Sequence, residues 1–121
     1  MSAARSNSGI GKAGEDRAVE VLVEAGMSIV ARNFRWRKGE IDIIALDGET
    51  VVFVEVKAWA TLGMENLAYG IDARKRSRII ETAKYFLCEN RQYDQRAVRF
   101  DVVFVGRGAV THLASAFMET V

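Results

Sequence analysis

The chain has 121 residues, half of them hydrophobic, which suits one compact domain whose core needs no disulfide. Its 17 basic and 16 acidic residues leave a net charge of +1, so bulk charge carries no nucleic-acid signal. A single cysteine excludes an intrachain disulfide, a single histidine (His112) excludes His-rich metal sites, and no apolar run is long enough to span a bilayer, so no membrane partner is expected and a cytoplasmic location is.

In chain order, Met1 to Gly9 is small and polar, lacks the apolar stretch of a signal peptide, and is expected to be a flexible arm ahead of one domain over residues 10–121. Ile10 to Ala25 predicts a helix with Ala18, Val19, Leu22 and Val23 as its apolar stripe and Glu15 beside that stripe. Ser28 to Trp36 predicts a first strand, and Lys38-Gly39 a turn into a second over Glu40 to Ala45. Asp47-Gly48-Glu49 is a hairpin signal, followed by a third strand over Thr50 to Lys57. Ala58 to Gly70 reads as a loop. Asp72 then caps a second helix reaching about Asn90, with Ile79, Ile80, Ala83, Phe86 and Leu87 facing inward. Cys88, among apolar neighbours, is expected to be a buried structural thiol. Ala97 to Val105 predicts a fourth strand and Ala109 to Leu113 a short fifth, with the tail docked through Phe117. The order α-β-β-β-α-β-β allows the strands on either side of the second helix to pair in parallel, giving an α/β fold with a mixed central sheet flanked by helices.

Charge is the informative exception inside the apolar strands. Asp42 lies in one, and Glu55 and Lys57, two residues apart and so on one face, lie in the next. An unpaired buried charge costs several kcal/mol or more, roughly, unless it is paired or ligates a metal. Asp42 and Glu55 on neighbouring strands suit a hard divalent ion such as Mg2+ or Mn2+, and Lys57 suits stabilisation of phosphorane charge or orientation of a water. These residues read as the core of a metal-dependent phosphodiesterase. Structural alternatives are an edge-strand Asp42 paired with Arg35 or Arg37, and a Glu55–Lys57 ion pair on a half-exposed strand. Glu15 could equally complement its helix dipole, and Asp101 reads as structural.

Asp42, twelve intervening residues, Glu55, one residue and Lys57 resemble the PD-(D/E)xK nuclease signature. The likeness extends through Gly11-x-x-Gly14-Glu15, Arg32-Asn33-x-Arg35, Gly39-Glu40-Ile41-Asp42-Ile43-Ile44-Ala45, Val52-Phe53-Val54-Glu55-Val56-Lys57 and Arg99-Phe100-Asp101-Val102-Val103. Together these blocks resemble the YraN (UPF0102) family, a bacterial group similar to archaeal Holliday junction resolvases. The resemblance implies a restriction-endonuclease-like fold and a catalytic set of Asp42, Glu55, Lys57 and Glu15. It also implies a metal held by Asp42, Glu55, the Val56 carbonyl and Glu15. Family members commonly carry a basic residue two positions after the Glu-x-Lys triplet; here Ala58-Trp59-Ala60 follows, so this chain departs from the family at a phosphate contact.

Two basic segments are candidate DNA contacts. Arg32, Arg35, Arg37 and Lys38 interleave with Phe34 and Trp36, whose rings are assigned to the core or a subunit interface rather than to base stacking. Arg74, Lys75, Arg76 and Arg78 occupy the first turns of the second helix, where cations oppose the helix dipole unless a phosphate docks there. The leading expectation is an endonuclease acting on DNA, branched or flap-like, working as a homodimer. The alternatives are a non-catalytic nucleic-acid-binding module of the same fold and a protein-interaction adaptor using the Trp59-to-Tyr69 loop.

Overall fold

A computed structural model of the protein describes residues 11–58, 72–106 and 108–118. The expected N-terminal arm and the Trp59-to-Tyr69 loop lie outside these residues. The elements are α1 (Gly11–Glu24), β1 (Ser28–Trp36), β2 (Gly39–Asp47), β3 (Thr50–Ala58), α2 (Ala73–Glu89), a 3-10 turn (Arg91–Tyr93), β4 (Val98–Gly106) and β5 (Ala109–Phe117). The strands form one sheet in the order β1-β2-β3-β4-β5, with β3 and β4 parallel and the other neighbours antiparallel. This is an α/β mixed sheet in the order α-β-β-β-α-β-β, consistent with a restriction-endonuclease-like fold.

Alternation along β3 sends its apolar residues to two cores. Val52, Val54 and Val56 pack with Ala18 and Leu22 of α1, while Val51 and Phe53 pack with Ile79, Ala83 and Phe86 of α2. Each such side chain taken from water contributes roughly 1.5–3 kcal/mol. The two helices therefore cover opposite faces, and β3 is buried on both.

Local chemistry sets the ends. Asp47 pairs with Thr50 across Gly48-Glu49, and Gly48 has φ +63°, the arrangement a II′ hairpin requires at its first central position. The Asp72 carboxylate accepts from the Lys75 amide at 2.9 Å and caps α2.

Several expectations are corrected. The turn before β2 is Arg37-Lys38, and Gly39 is already in the strand, pressed beneath α2 so that a Cβ there would collide with Thr82 Oγ1. Asp42 is not on an edge strand, because β2 lies between β1 and β3. Val23 is half exposed, since the inward stripe of α1 runs through Glu15, Ala18 and Leu22. Cys88 is exposed, because it is turned about 200° around α2 from Phe86 at 3.6 residues per turn. Finally, β5 runs on to Phe117, whose ring stacks on Phe100 with centroids 5.1 Å apart. A register shift opposite Phe100 to Val102 and a φ of +53° at Ser115 form a bulge that interrupts its alternation.

Candidate active site

The site arises where β2 and β3 part. Their ladder runs from Asp47↔Thr50 to Ile43↔Val54. Beyond that point β2 stays paired with β1 down to Gly39, and β3 stays paired with β4 up to Ala58. At the fork the Asp42 side chain replaces a ladder bond: the Val56 amide donates to Asp42 Oδ2 at 2.7 Å. Val56 thus enters the site through its N–H.

Beneath α2 the fork encloses a cavity of about 80 Å³ lined by Lys38, Glu40, Asp42, Glu55, Lys75 and Arg78. Among the described residues three carboxylates face three cations there. Asp42 and Glu55 are 2% and 3% exposed. Lys75 Nζ lies 2.8 Å from Glu55 Oε2. That oxygen is buried and has no aligned hydrogen bond, so the contact is an ion pair without a directed donor. Arg35 approaches Glu40 Oε2 from the rim at 3.7 Å.

Lys57, half-buried on the same strand as Glu55, feels this charge arrangement. Burial, and next the neighbouring Lys75 ammonium, hold its pKa below the ordinary lysine value, while Glu55, Asp42 and Asp72 pull it upward. An amine poised this way gives up its proton more readily than a surface lysine.

The donor set suits a hard divalent ion. Mg2+ takes one or two carboxylates and keeps several waters, each of which occupies roughly 30 Å³. A cavity of about 80 Å³ bounded by Asp42 and by the undirected Oε2 of Glu55 has room for an ion with about two such waters. Among the described residues no three Asp, Glu, His or Cys side chains form a ready cage.

Glu15 is placed differently from the other candidates. It is buried on α1, the helix of the opposite face, and its Oε1 accepts from Asn33 Nδ2 at 3.2 Å and Arg32 Nη2 at 3.4 Å. It does not line the cavity. The pairs Arg32↔Ile43 and Phe34↔Ile41 set Asn33, with φ +55°, across from Asp42, so Glu15 holds the residue beside the fork.

The basic segments divide in the same way. Arg32 is engaged by Asp16 at 2.9 Å, and Lys75 by Glu55. Lys38 and Arg78 line the cavity, Arg37 lies over the Trp36 ring at 4.5 Å, Arg74 is exposed and Arg76 half-buried. Glu40 was legible but overlooked: it precedes Asp42 by two residues and therefore shares its face. The larger cavity, about 590 Å³ between α2, β4 and β5, has no acidic residue among the described residues of its lining.

A second polar cluster is structural. Asp101, 0% exposed, accepts from Arg99 Nε and Nη2 at 2.9 and 3.0 Å and from the Ser115 amide at 3.0 Å. It also lies 2.7 Å from His112 Nε2. Its carboxylate fills the β5 bulge.

Residues 14–105 match the model of the uncharacterised protein family UPF0102. A UPF0102 protein of Persephonella marina is 43% identical over 107 residues, covering 88% of this chain and 91% of the relative. One from Treponema pallidum (strain Nichols) is 39% identical, covering 97% and 98% of the two chains. One from Ectopseudomonas mendocina is 36% identical, covering 89% and 91%. Among the described residues no helix is long and apolar enough to cross a membrane.

Proposed function

The chain belongs to the uncharacterised family UPF0102, and we propose that it is a metal-dependent endonuclease acting on DNA, with branched or flap structures as its preferred substrates. The observation that carries this reading is the fork between β2 and β3. It gathers Asp42, Glu55 and Glu40 in one cavity with Lys57 beside it.

In this reading Asp42 and Glu55 hold one Mg2+ or Mn2+, with the Val56 carbonyl as a further oxygen. The bound ion supplies charge neutralisation at the scissile phosphate and a more acidic water. The Val56 amide fixes the rotamer of Asp42 so that its carboxylate faces the cavity. Lys57, with its depressed pKa, takes a proton from the attacking water or donates to a phosphate oxygen. Lys38 and Arg78 at the rim attract the phosphate chain. Glu15 acts as a positioning residue through Asn33. A homodimer would give a one-site domain the two cuts a branched substrate requires.

The test is cleavage of end-labelled single-stranded, duplex, flap and four-way-junction DNA in Mn2+ and in Mg2+. Asp42→Ala and Lys57→Ala serve as matched controls. Metal-dependent cuts lost in both variants support the enzyme. No cutting above the variants on any substrate returns the weight to a binding module of the same fold. One observation favours that second reading: Lys75 already neutralises Glu55 inside the site.

A further inference from the structure

A third cavity adjoins the one at the fork. It measures about 520 Å³ and is lined by Trp36, Arg37, Lys38, Gly39, Arg78 and Glu81 among others. That lies within the ~300–1,000 Å³ range of small-molecule sites. Lys38 and Arg78 line both cavities, so the two share a cationic wall.

The flat wall of this cavity is built in layers. Tyr85 of α2 stacks on Trp36 with ring centroids 4.5 Å apart and planes 6° from parallel. The Arg37 guanidinium covers the Trp36 ring at 4.5 Å. Arg37 is exposed and sits at φ +55°, a left-handed conformation that costs a non-glycine residue roughly 1–3 kcal/mol. The β1–β2 hairpin thus carries an arginine where glycine would be unstrained, and its guanidinium lies over a ring already stacked on Tyr85.

We propose that this cavity is a subsite for one unpaired nucleobase next to the scissile phosphate, with Arg37 and Trp36 as its stacking platform. The proposal rests on the nuclease reading of the neighbouring cavity and narrows its substrate class. Arginine planes and aromatic rings stack on bases of any sequence. A base inside a duplex already has both faces covered by its neighbours, so it cannot use the platform. Lys38 and Arg78, shared by the two cavities, hold the phosphate that links the stacked base to the scissile bond. The ligand class is therefore DNA with a single-stranded nucleotide at the cut: a flap, a splayed junction or a free end.

The test compares binding of a thymidine octanucleotide with that of an abasic octamer of the same phosphates, by fluorescence anisotropy without added metal. Wild type is set beside Arg37→Ala and Arg37→Lys, the latter keeping the charge and losing the plane. The expected preference for the base-bearing strand is about tenfold in wild type, falling to near unity in both variants. No preference in wild type, or a preference unchanged in both variants, overturns the proposal. So does an Arg37→Lys protein that behaves as wild type while Arg37→Ala loses both oligomers equally, because Arg37 is then only a phosphate contact. The two readings fail separately. A base preference in a protein that cuts nothing removes the nuclease and keeps the subsite; cutting without base preference does the reverse.

Discussion

Lys75 Nζ of α2 and Glu55 Oε2 of β3 are 2.8 Å apart, and this contact joins the helix dipole problem to the site. Lys75 stands in the first turn of a helix, where a cation is disfavoured by a few tenths of a kcal/mol, roughly. Its side chain turns away from solvent and compensates a carboxylate that is 3% exposed on its side chain. The helix terminus is thereby pinned over the fork.

Removing that ammonium leaves Glu55 buried beside Asp42 without its compensating charge. Lys75→Ala is expected to lower stability by about 3 kcal/mol, the low end for a broken buried pair because Lys75 is itself partly exposed. Thermal unfolding measures the loss. Added Mn2+ should raise the melting temperature of the variant by more than that of wild type. Equal shifts in the two proteins would refute the view that Lys75 and a cation compensate the same carboxylate.

Gly39 is set by close approach. Its absent Cβ is where Thr82 Oγ1 lies, and that hydroxyl donates to the Arg78 carbonyl at 2.7 Å. Gly39→Ala should cost about 1–3 kcal/mol in a urea titration, as overpacking does. Adding Thr82→Ala should restore part of the loss. No recovery would mean that the Arg78 carbonyl, 3.0 Å from the added Cβ, is the controlling contact.

Asp101 gives an acid-side signature. Burial alone would raise its pKa, but bonds from His112, Arg99 and the Ser115 amide outweigh it and hold the carboxyl below its ordinary value of 3.8. A folded pKa depressed in this way contributes stability that is complete above the unfolded value and is lost as pH falls through the folded one. The contribution is therefore present at neutral pH and disappears below about pH 4. Asp101→Asn should lose about 2–4 kcal/mol at pH 7. Its deficit relative to wild type should shrink as pH falls below about 4, followed by denaturant midpoint. A deficit independent of pH would rule out the charge as its source.

Lys57 separates stability from function. Its folded pKa lies below the ordinary lysine value, so its charged form is disfavoured by folding and contributes no stability at neutral pH. Lys57→Met should therefore unfold at the wild-type temperature or above. If the nuclease reading holds, it should also lose roughly 10²–10⁴-fold in cutting rate. A clear drop in melting temperature would assign Lys57 a structural role instead.

Much of this architecture was legible in the chain. The Asp-Gly hairpin signal, the Asp72 cap and the apolar runs of β2 and β3 act locally, so their elements followed from neighbouring residues. Asp42, Glu55 and Lys57 stood out because apolar strands rarely carry charge. The Lys75–Glu55 pair was hidden, because it depends on where α2 lies after the chain crosses from β3 to β4. Glu40 opens the strand read over Glu40 to Ala45, and its part in the site emerges only where α2 lays Lys75 and Arg78 over the fork. The end of β5 was missed because the Ser115 bulge breaks the period of two on which strand reading relies. Burial of Cys88 was expected from neighbouring apolar residues, although its angular position on α2 decides its exposure.

The parting of β2 and β3 also bears on the order in which the chain folds. The site carboxylates Glu40, Asp42 and Glu55 all belong to the antiparallel β1–β3 meander, whose contacts are local and close early. The parallel β3–β4 seam closes late, because the chain from Ala58 to Val98 must first be traversed. Like charges are thus brought together before Lys75 arrives to compensate them, which places an electrostatic barrier before the final docking of α2. Glu55→Gln should lower that barrier and refold faster than wild type in stopped-flow experiments; an unchanged rate would place the meeting of these charges after the rate-limiting step.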